Sequence, residues 1–530
     1  METRNFISDG NWLCPDGPYR NLVKSLIKND PRLKQRDAKA IAQGTAWPPS
    51  KLRIVTMDLE AGKSFKQTAE WSDLGNFREH LDSTTASTIG QRNIILIEGL
   101  SPDLIDTLGT RFDIHPSFFV DHERVVVFTS NSARTADPHA LPSCINWNAS
   151  AKGLTLKYFE PMEISPGPQS FRLSCADSGR HIGIFRSRGR ISPVAVVRRK
   201  CSIWPISYPG GGYTCIILCD PPLTAVSMKG GPGAHGPSEY PVRTFPYQGG
   251  YLDFMVGQPT HPGDRNGPSR SSMLDDLRYY LSEHGLNLSD LSNPKCPAFF
   301  VEKIVASQYL TLTSFMSSLL STQQWDLSRQ EDMARFTLNR VEQQWSDIQS
   351  WERRLNEYCN DIEELMIKLG IPFQDPDPST IKDSTLSKTH ADFQFLRMRL
   401  QGLKHRAEQV NAATSGLASI AGNRQAHQEQ QLALNETQKA KALTLIGLVF
   451  IPLAYTATLF SMNERYMPGA SLFWIYFLVS IPLICAVILA YFVLSRLHGG
   501  PLFTFRNAFG TRRTASPEAN FNSNKPLFDT

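Results

Sequence analysis

The sequence predicts an α+β domain, then long stalk helices, then two membrane-spanning helices near the C-terminal end. Three observations predict it. β-rich runs alternate with helical spacing from residue 52 to about 295. Apolar residues then recur in steps of three and four as far as 421. Two uninterrupted apolar runs, 442–460 and 471–494, follow. A length of 530 residues suits two or three domains. Fifty-five Lys and Arg against 50 Asp and Glu is too slight an excess to indicate nucleic acid as a partner.

Residues 1–50, with the basic patch KNDPRLKQRDAK and a WPP break, read as an irregular N-terminal segment. Residues 51–295 read as the cytosolic α/β domain. LRIVTMDLE, RNIILIEGL, RVVVFTS, VAVVRRKCSIWPI and YTCIILCD are its strands. SPDLIDTLGTRF is a helix with Ser101 as N-cap and Pro102 as its first residue. Residues 230–250, rich in Gly and Pro, read as a loop. Residues 186–200, RSRGRISPVAVVRRK, are the densest basic stretch and read as a solvated turn and strand edge.

Residues 296–388 form a helical stalk segment. It holds the apolar series Val341, Trp345, Ile348, Leu355, Ile362 and Leu369, and a Pro-rich break at 370–388. Residues 389–460 read as one stalk and pore helix of roughly 100 Å at 1.5 Å per residue. Its coiled-coil-like seam runs from Phe393 through Leu400, Ala407 and Thr414 to Ala421. Past Ala421 the helix turns polar over NRQAHQEQQLALNETQK, a stretch with no Gly or Pro to stop it, and enters the first span at 442–460. Residues 461–470 are an extracytosolic loop, 471–494 the second span and 495–530 a disordered cytosolic tail.

About 20 apolar residues cross a bilayer, and neither run has the polar face of a buried soluble helix. Pro452 and Pro482 are tolerated in such helices. The N-terminal METRNFISDGNWLCPDG lacks a signal-peptide core. Lys439, Lys441, Arg496, Arg506, Arg512 and Arg513 flank the spans, so both termini are expected on the cytosolic side. FSMNERYMPGAS, 460–471, then faces the other side. The nine cysteines are scattered and read as reduced core thiols, Cys215 and Cys219 on one face of a strand. No P-loop, G-x-S-x-G, H-E-x-x-H or Cys/His ligand set is present, so neither an enzyme nor a bound cofactor is expected. His115 and His122 flank FF in a helix, and one of them reads as buried and hydrogen-bonded.

Carried through the membrane, the seam passes Ala440, Leu443, Gly447, Ile451, Ala454 and Thr458 to reach Asn463. Mostly small side chains there let helices approach closely. Joined to a polar cytosolic helix face, they suit a hydrated funnel leading to a gate.

KALTLIGLVFIPLAYTATLFSMNERYMPG resembles the end of a CorA-type magnesium and divalent-cation transporter, in a fungal CorA-like branch. The matching residues are Phe450, Pro452 and Leu453 of an F-x-P-L pattern, Met462 and Asn463 of Gly-Met-Asn, and Met467 and Pro468. LIDTLGTRFDIHPSFFVDH and RRKCSIW followed by IILCDPPL resemble the cytosolic domain of that branch. The resemblance implies an α-β-α sandwich and a homopentamer with first spans around a pore. It implies divalent cations and the lipid bilayer as partners, and Mg²⁺ as cargo, with Zn²⁺, Co²⁺ or Ni²⁺ as alternatives. It also implies a filter of Asn463, Met462, Ser461 and Glu464 in which Asn463 holds the metal through hydration water. Leu443, Gly447, Ile451, Ala454 and Thr458 would line or gate the pore. A plasma-membrane location goes with this reading. Neutral amide oxygens suit Mg²⁺, which dehydrates reluctantly. Ser461 stands where the family has Gly, Gly469 where it has an acid, and Arg465 lies beside Glu464. Those departures keep open a scaffold or regulatory protein that has the architecture without conduction.

Overall fold

A computed structural model describes residues 12–34, 51–59, 64–83, 90–123, 141, 146–147, 153–165, 173–185, 193–228, 238–255, 267–288, 290–328, 338–373, 385–462, 468–469 and 471–497. The chain divides into two compact units, Met1–Ala418 and Ser419–Thr530. In chain order the first unit holds α1 (Pro18–Leu26), β1 (Arg53–Leu59), β2 (Phe65–Trp71), α2 (Leu74–Ser83), β3 (Arg92–Glu98), α3 (Pro102–Phe112) and α4 (Pro116–Glu123). Then come β4 (Leu154–Ser165), β5 (Leu173–Cys175), β6 (His181–Phe185), β7 (Val194–Ser207), β8 (Tyr213–Cys219), β9 (Ala225–Met228), β10 (Ser238–Pro241) and β11 (Arg243–Pro246). Helices α5 (Met273–His284), α6 (Ala298–Ser328) and α7 (Leu338–Leu369) follow, and α8 (Thr385–Ser461) begins in this unit.

The strands form one mixed sheet in the order β10-β9-β5-β6-β7-β8-β3-β1-β2, with β4 pairing β7 and β11. Only the β3–β8 ladder is parallel among the described pairs; the rest are antiparallel. Alternation along the central strands buries both faces. Ile95, Ile97, Ile216 and Leu218 join Val23, Leu104, Ile105 and Phe119 in one core. Ile94, Leu96, Cys215 and Ile217 join Leu274, Phe300, Leu355 and Phe393 in another. Helices thus cover both faces of the sheet, an α-β-α layering that period-two burial makes obligatory for strands with two apolar faces.

The strands expected at residues 52–60, 92–100, 194–206 and 213–220 are present, while RVVVFTS lies outside the described residues. Ser101 accepts a hydrogen bond from the Leu104 N–H and Pro102 opens α3, as the cap pattern requires. Three expectations change. The segment read as irregular contains α1, and Tyr19 and Val23 bury themselves in the core. The Gly- and Pro-rich stretch at 230–250 contains β10 and β11, held by pairing with β9 and β4 rather than by their own propensity. The basic stretch is not a solvated edge: β7 lies inside the sheet between β6 and β8, and Arg199 and Lys200 are buried.

A buried polar network explains how β7 tolerates those charges. Arg180 grips Asp220 with two hydrogen bonds, Nε at 2.5 Å and Nη2 at 2.8 Å, and also donates to the His122 carbonyl. The Lys200 backbone N–H donates to the same Asp220 carboxylate. Burial pushes the Asp220 carboxyl up, but Arg180, His122 and Arg199 outweigh it and hold it below the usual carboxylate range. His122 is the buried histidine of the pair. Its Nδ1 is 2.9 Å from Ser202 Oγ, which is 2.8 Å from Thr155 Oγ1. Burial, partly opposed by Asp220, pushes His122 down to about 3, so it is neutral. Ser202, His122 and Asp220 follow the order of a catalytic relay, yet they are 0, 4 and 4 % exposed, and the serine hydroxyl is already engaged with Thr155. The constellation is structural.

In α7, Ile348, Leu355, Ile362 and Leu369 are buried as the spacing predicts, and Gly370 ends the helix at φ 68. Trp345 departs from the series: it is exposed, and Gln344 is buried instead. In α8, Phe393, Leu396, Leu400, Leu403, Ala407, Val410 and Thr414 are all buried, as the expected seam requires, while Leu417 and Ala421 at its end are only half-buried.

Candidate functional site

The second unit contains the remainder of α8 and α9 (Trp474–Leu497). The helix does run unbroken from the stalk into the apolar segment, through Gly422 and Pro452 as well as the stretch 423–439 that lacks both residue types: α8 spans 77 residues. Both α8 and α9 contain a stretch long and apolar enough to cross a membrane, and in both that stretch is almost wholly exposed. An exposed apolar helix needs lipid or another protein surface around it.

The two helices meet through one narrow stripe. Pro452 and Thr456 of α8 are buried, as is Ser480 of α9. Ser480 Oγ donates to Thr456 Oγ1 at 2.9 Å, and the Thr456 hydroxyl lies 3.0 Å from the carbonyls of Pro452 and Leu453. One turn further on, the Phe460 and Tyr476 rings meet edge to face at 6.0 Å. Pro452 cannot donate to the carbonyl four residues back. The Thr456 back-bond falls on the same turn, so α9 holds α8 at its least regular point.

Leu443, Gly447, Ile451, Ala454 and Thr458 lie on another stripe. At 3.6 residues per turn it is about 180° around the helix from Pro452, Thr456 and Phe460. Leu443 and Ile451 are each 72 % exposed, and Ala454 and Thr458 are exposed as well. A Cβ on Gly447 would meet only Ile451 Cδ1, at 4.0 Å. The five residues named from the sequence therefore share one face, and α9 leaves it bare.

Of the four residues expected to form a filter, Ser461 and Met462 are described and exposed, while Asn463 and Glu464 lie outside the described residues. Ser461 is the last helical residue, and its Oγ donates to the Thr458 carbonyl at 2.9 Å. It avoids the left-handed backbone that favours glycine after a helix, so a serine sits there without that strain. Gly469 has φ 104, a conformation that a side chain would strain. Local geometry thus accounts for a glycine where the motif has an acid. The Thr456–Ser480 contact was missed in the sequence, although a lone Ser in an apolar run and a Thr four residues after a Pro were visible there. Among the described residues, no group of three His, Cys, Asp or Glu could hold a metal ion.

Thr456→Val and Ser480→Ala are each expected to destabilise the hairpin by about 0.6 kcal/mol, the usual size of such a bond in a bilayer. The double variant should cost less than the sum. Unfolding in mixed detergent micelles measures it, and full additivity would show that the hydroxyls do not interact.

A polar helix that continues into an apolar hairpin, one stripe packed and the opposite stripe bare, defines a membrane protein with two candidate spans. The segment 381–496, which contains both, matches the family described as CorA-like Mg2+ transporter protein. The solved structure of the complete CorA magnesium transporter from Methanocaldococcus jannaschii is similar at 9 % identity and a TM-score of 0.30, covering 82 % of this chain and 96 % of that one. No curated protein matches.

Proposed function

We propose that the protein is a channel or transporter for divalent cations, Mg²⁺ foremost, that works as a homopentamer. The observation that carries this reading is the bare stripe of Leu443, Gly447, Ile451, Ala454 and Thr458, opposite the face that α9 covers. Five copies of that stripe around an axis form a pore wall, with Leu443 and Ile451 as apolar constrictions that gate by excluding water. The family match of residues 381–496 supports the cation as cargo. Asn463, with Met462, Ser461 and Glu464, is assigned to the outer mouth. There its amide oxygen receives hydrogen bonds from the water shell of the ion. Both termini are placed on the cytosolic side of the plasma membrane.

The test is uptake of Mg²⁺, Zn²⁺, Co²⁺ and Ni²⁺ into liposomes carrying the purified protein. Wild type should move at least Mg²⁺. Asn463→Ala should slow it about tenfold or more, since several hydrogen bonds of about 0.5–1.5 kcal/mol each are lost from one ring. Uptake of Zn²⁺ without Mg²⁺ would reassign the cargo. No uptake of any of the four would instead favour the anchored scaffold, the reading that Ser461, Arg465 and Gly469 motivate.

A further inference from the structure

Two cysteines stand side by side in the middle of the sheet. Cys201 of β7 is directly opposite Cys219 of β8 in their antiparallel ladder. Both belong to the core shared with α5, α6 and α7, and they are 0 and 1 % exposed. Cys215 belongs to the same core, yet its partner in the ladder is Pro205.

Backbone hydrogen bonds fix how close the two side chains come. Directly opposite residues in an antiparallel ladder alternate between pairs that exchange backbone hydrogen bonds and pairs that do not. The Asp220 N–H donates to the Lys200 carbonyl, and the Tyr208 N–H donates to the Gly212 carbonyl, eight positions along β7 and in the same phase. Lys200 and Asp220 are therefore a hydrogen-bonded pair, and Cys201 and Cys219, one step on, are a non-hydrogen-bonded one. At such pairs the Cα atoms are about 4.5 Å apart and the side chains are closest. A disulfide requires a Cα separation of about 4.4–6.8 Å. The two thiols already hydrogen-bond to each other.

We propose that Cys201 and Cys219 are an oxidation site, which a small hydroperoxide converts to a cross-strand disulfide between β7 and β8. With hydrogen peroxide, one sulfur attacks the O–O bond. An S–O bond forms, the O–O bond breaks, and the departing oxygen leaves as water with the thiol proton. The second sulfur then attacks the sulfenic sulfur. The S–S bond forms, the S–O bond breaks, and hydroxide leaves as water with the second thiol proton. Two thiols and one peroxide give one disulfide and two waters. The reaction is slow: the hydrogen bond with Cys201, burial, and the charges of Glu98 and Asp220 hold the Cys219 thiol well above its usual range, so thiolate is scarce. The same enclosure keeps larger thiols from capping the sulfenic acid, which leaves the neighbouring cysteine as its partner. Once formed, the bond ties the strand that carries Lys200 to the strand that leads into Asp220.

Non-reducing peptide mapping of the full-length protein in detergent tests the site, after treatment with hydrogen peroxide and blocking of the remaining thiols. A linked pair of peptides containing Cys201 and Cys219, two hydrogens lighter than the reduced peptides together, should accumulate over hours and disappear with dithiothreitol. Cys215 should stay out of that link. The oxidised protein should unfold about 5 °C higher than the reduced one, and Cys219→Ser should show no peroxide-dependent rise. Absence of the Cys201–Cys219 link after peroxide overturns the proposal. So does sulfinic acid at either cysteine in place of the link, or a link from Cys201 to Cys215 of equal yield.

Discussion

Asp220→Ala is expected to destabilise the first unit by about 3–5 kcal/mol, the cost of leaving a buried cation without its partner. The carboxylate receives two bonds from Arg180 and one from the Lys200 backbone, and it faces His122 Nε2 at 3.6 Å. Removing it leaves Arg180 charged and buried among other cations, because a guanidinium does not deprotonate. Asp220→Asn should recover little, since the amide cannot replace the charge. Lower midpoints in denaturant unfolding check the result. A loss under 1 kcal/mol would mean that water enters the network when the carboxylate goes.

Glu302→Gln is expected to be nearly neutral at pH 5 and stabilising by about 3 kcal/mol at pH 8. Glu302 on α6 is 4 % exposed. Burial pushes its carboxyl up to about 7, against a hydrogen bond from Thr389 of α8 and the charge of Lys303. The unfolded chain has the ordinary value of 4.5. Between 4.5 and 7 the folded state therefore holds the proton and the unfolded state does not. Stability is complete below 4.5 and falls as pH rises to about 7, by about 1.4 kcal/mol per unit. His122 acts in the opposite sense. Its folded value of about 3 lies below the ordinary 6.5, so acidification between those values favours unfolding. Wild type should be most stable in mildly acidic buffer, and the Gln variant should lose the alkaline decline. If both proteins decline alike from pH 5 to 8, Glu302 is not the group that titrates.

Elements whose own residues carry the signal were legible in the sequence. The strands 53–59, 92–98 and 213–219 each contain a run of β-branched or apolar residues, and Ser101–Pro102 states the start of α3 locally. The continuity of α8 followed from the absence of Gly and Pro over 423–439, and the stripe from Leu443 to Thr458 followed from period alone. What stayed hidden depends on partners distant in sequence. Arg199 and Lys200 look solvent-bound until Glu160, Asp121 and Asp220 are folded against them. Strand β4 escaped notice because Lys157, Glu160 and Pro161 break its pattern, and its ladder with β7 restores it. Helix α1 is too short to declare itself without the core that buries Tyr19 and Val23. Between the two apolar helices the motif was readable, but its departures were not: only backbone geometry shows that Ser461 stays helical and that Gly469 occupies a glycine-favoured conformation.

The contact between Ser480 and Thr456 also bears on how the protein reaches its membrane. A serine hydroxyl in hydrocarbon gains from a partner, and here that partner sits on the preceding helix, 24 residues earlier. The partner is present only once the first apolar segment lies alongside. Thr456 also has the Pro452 and Leu453 carbonyls of its own helix within 3.0 Å, so Ser480 is the hydroxyl that gains most from the pairing. Once the two segments lie side by side, the bond favours the paired over the separated helices by about 0.6 kcal/mol.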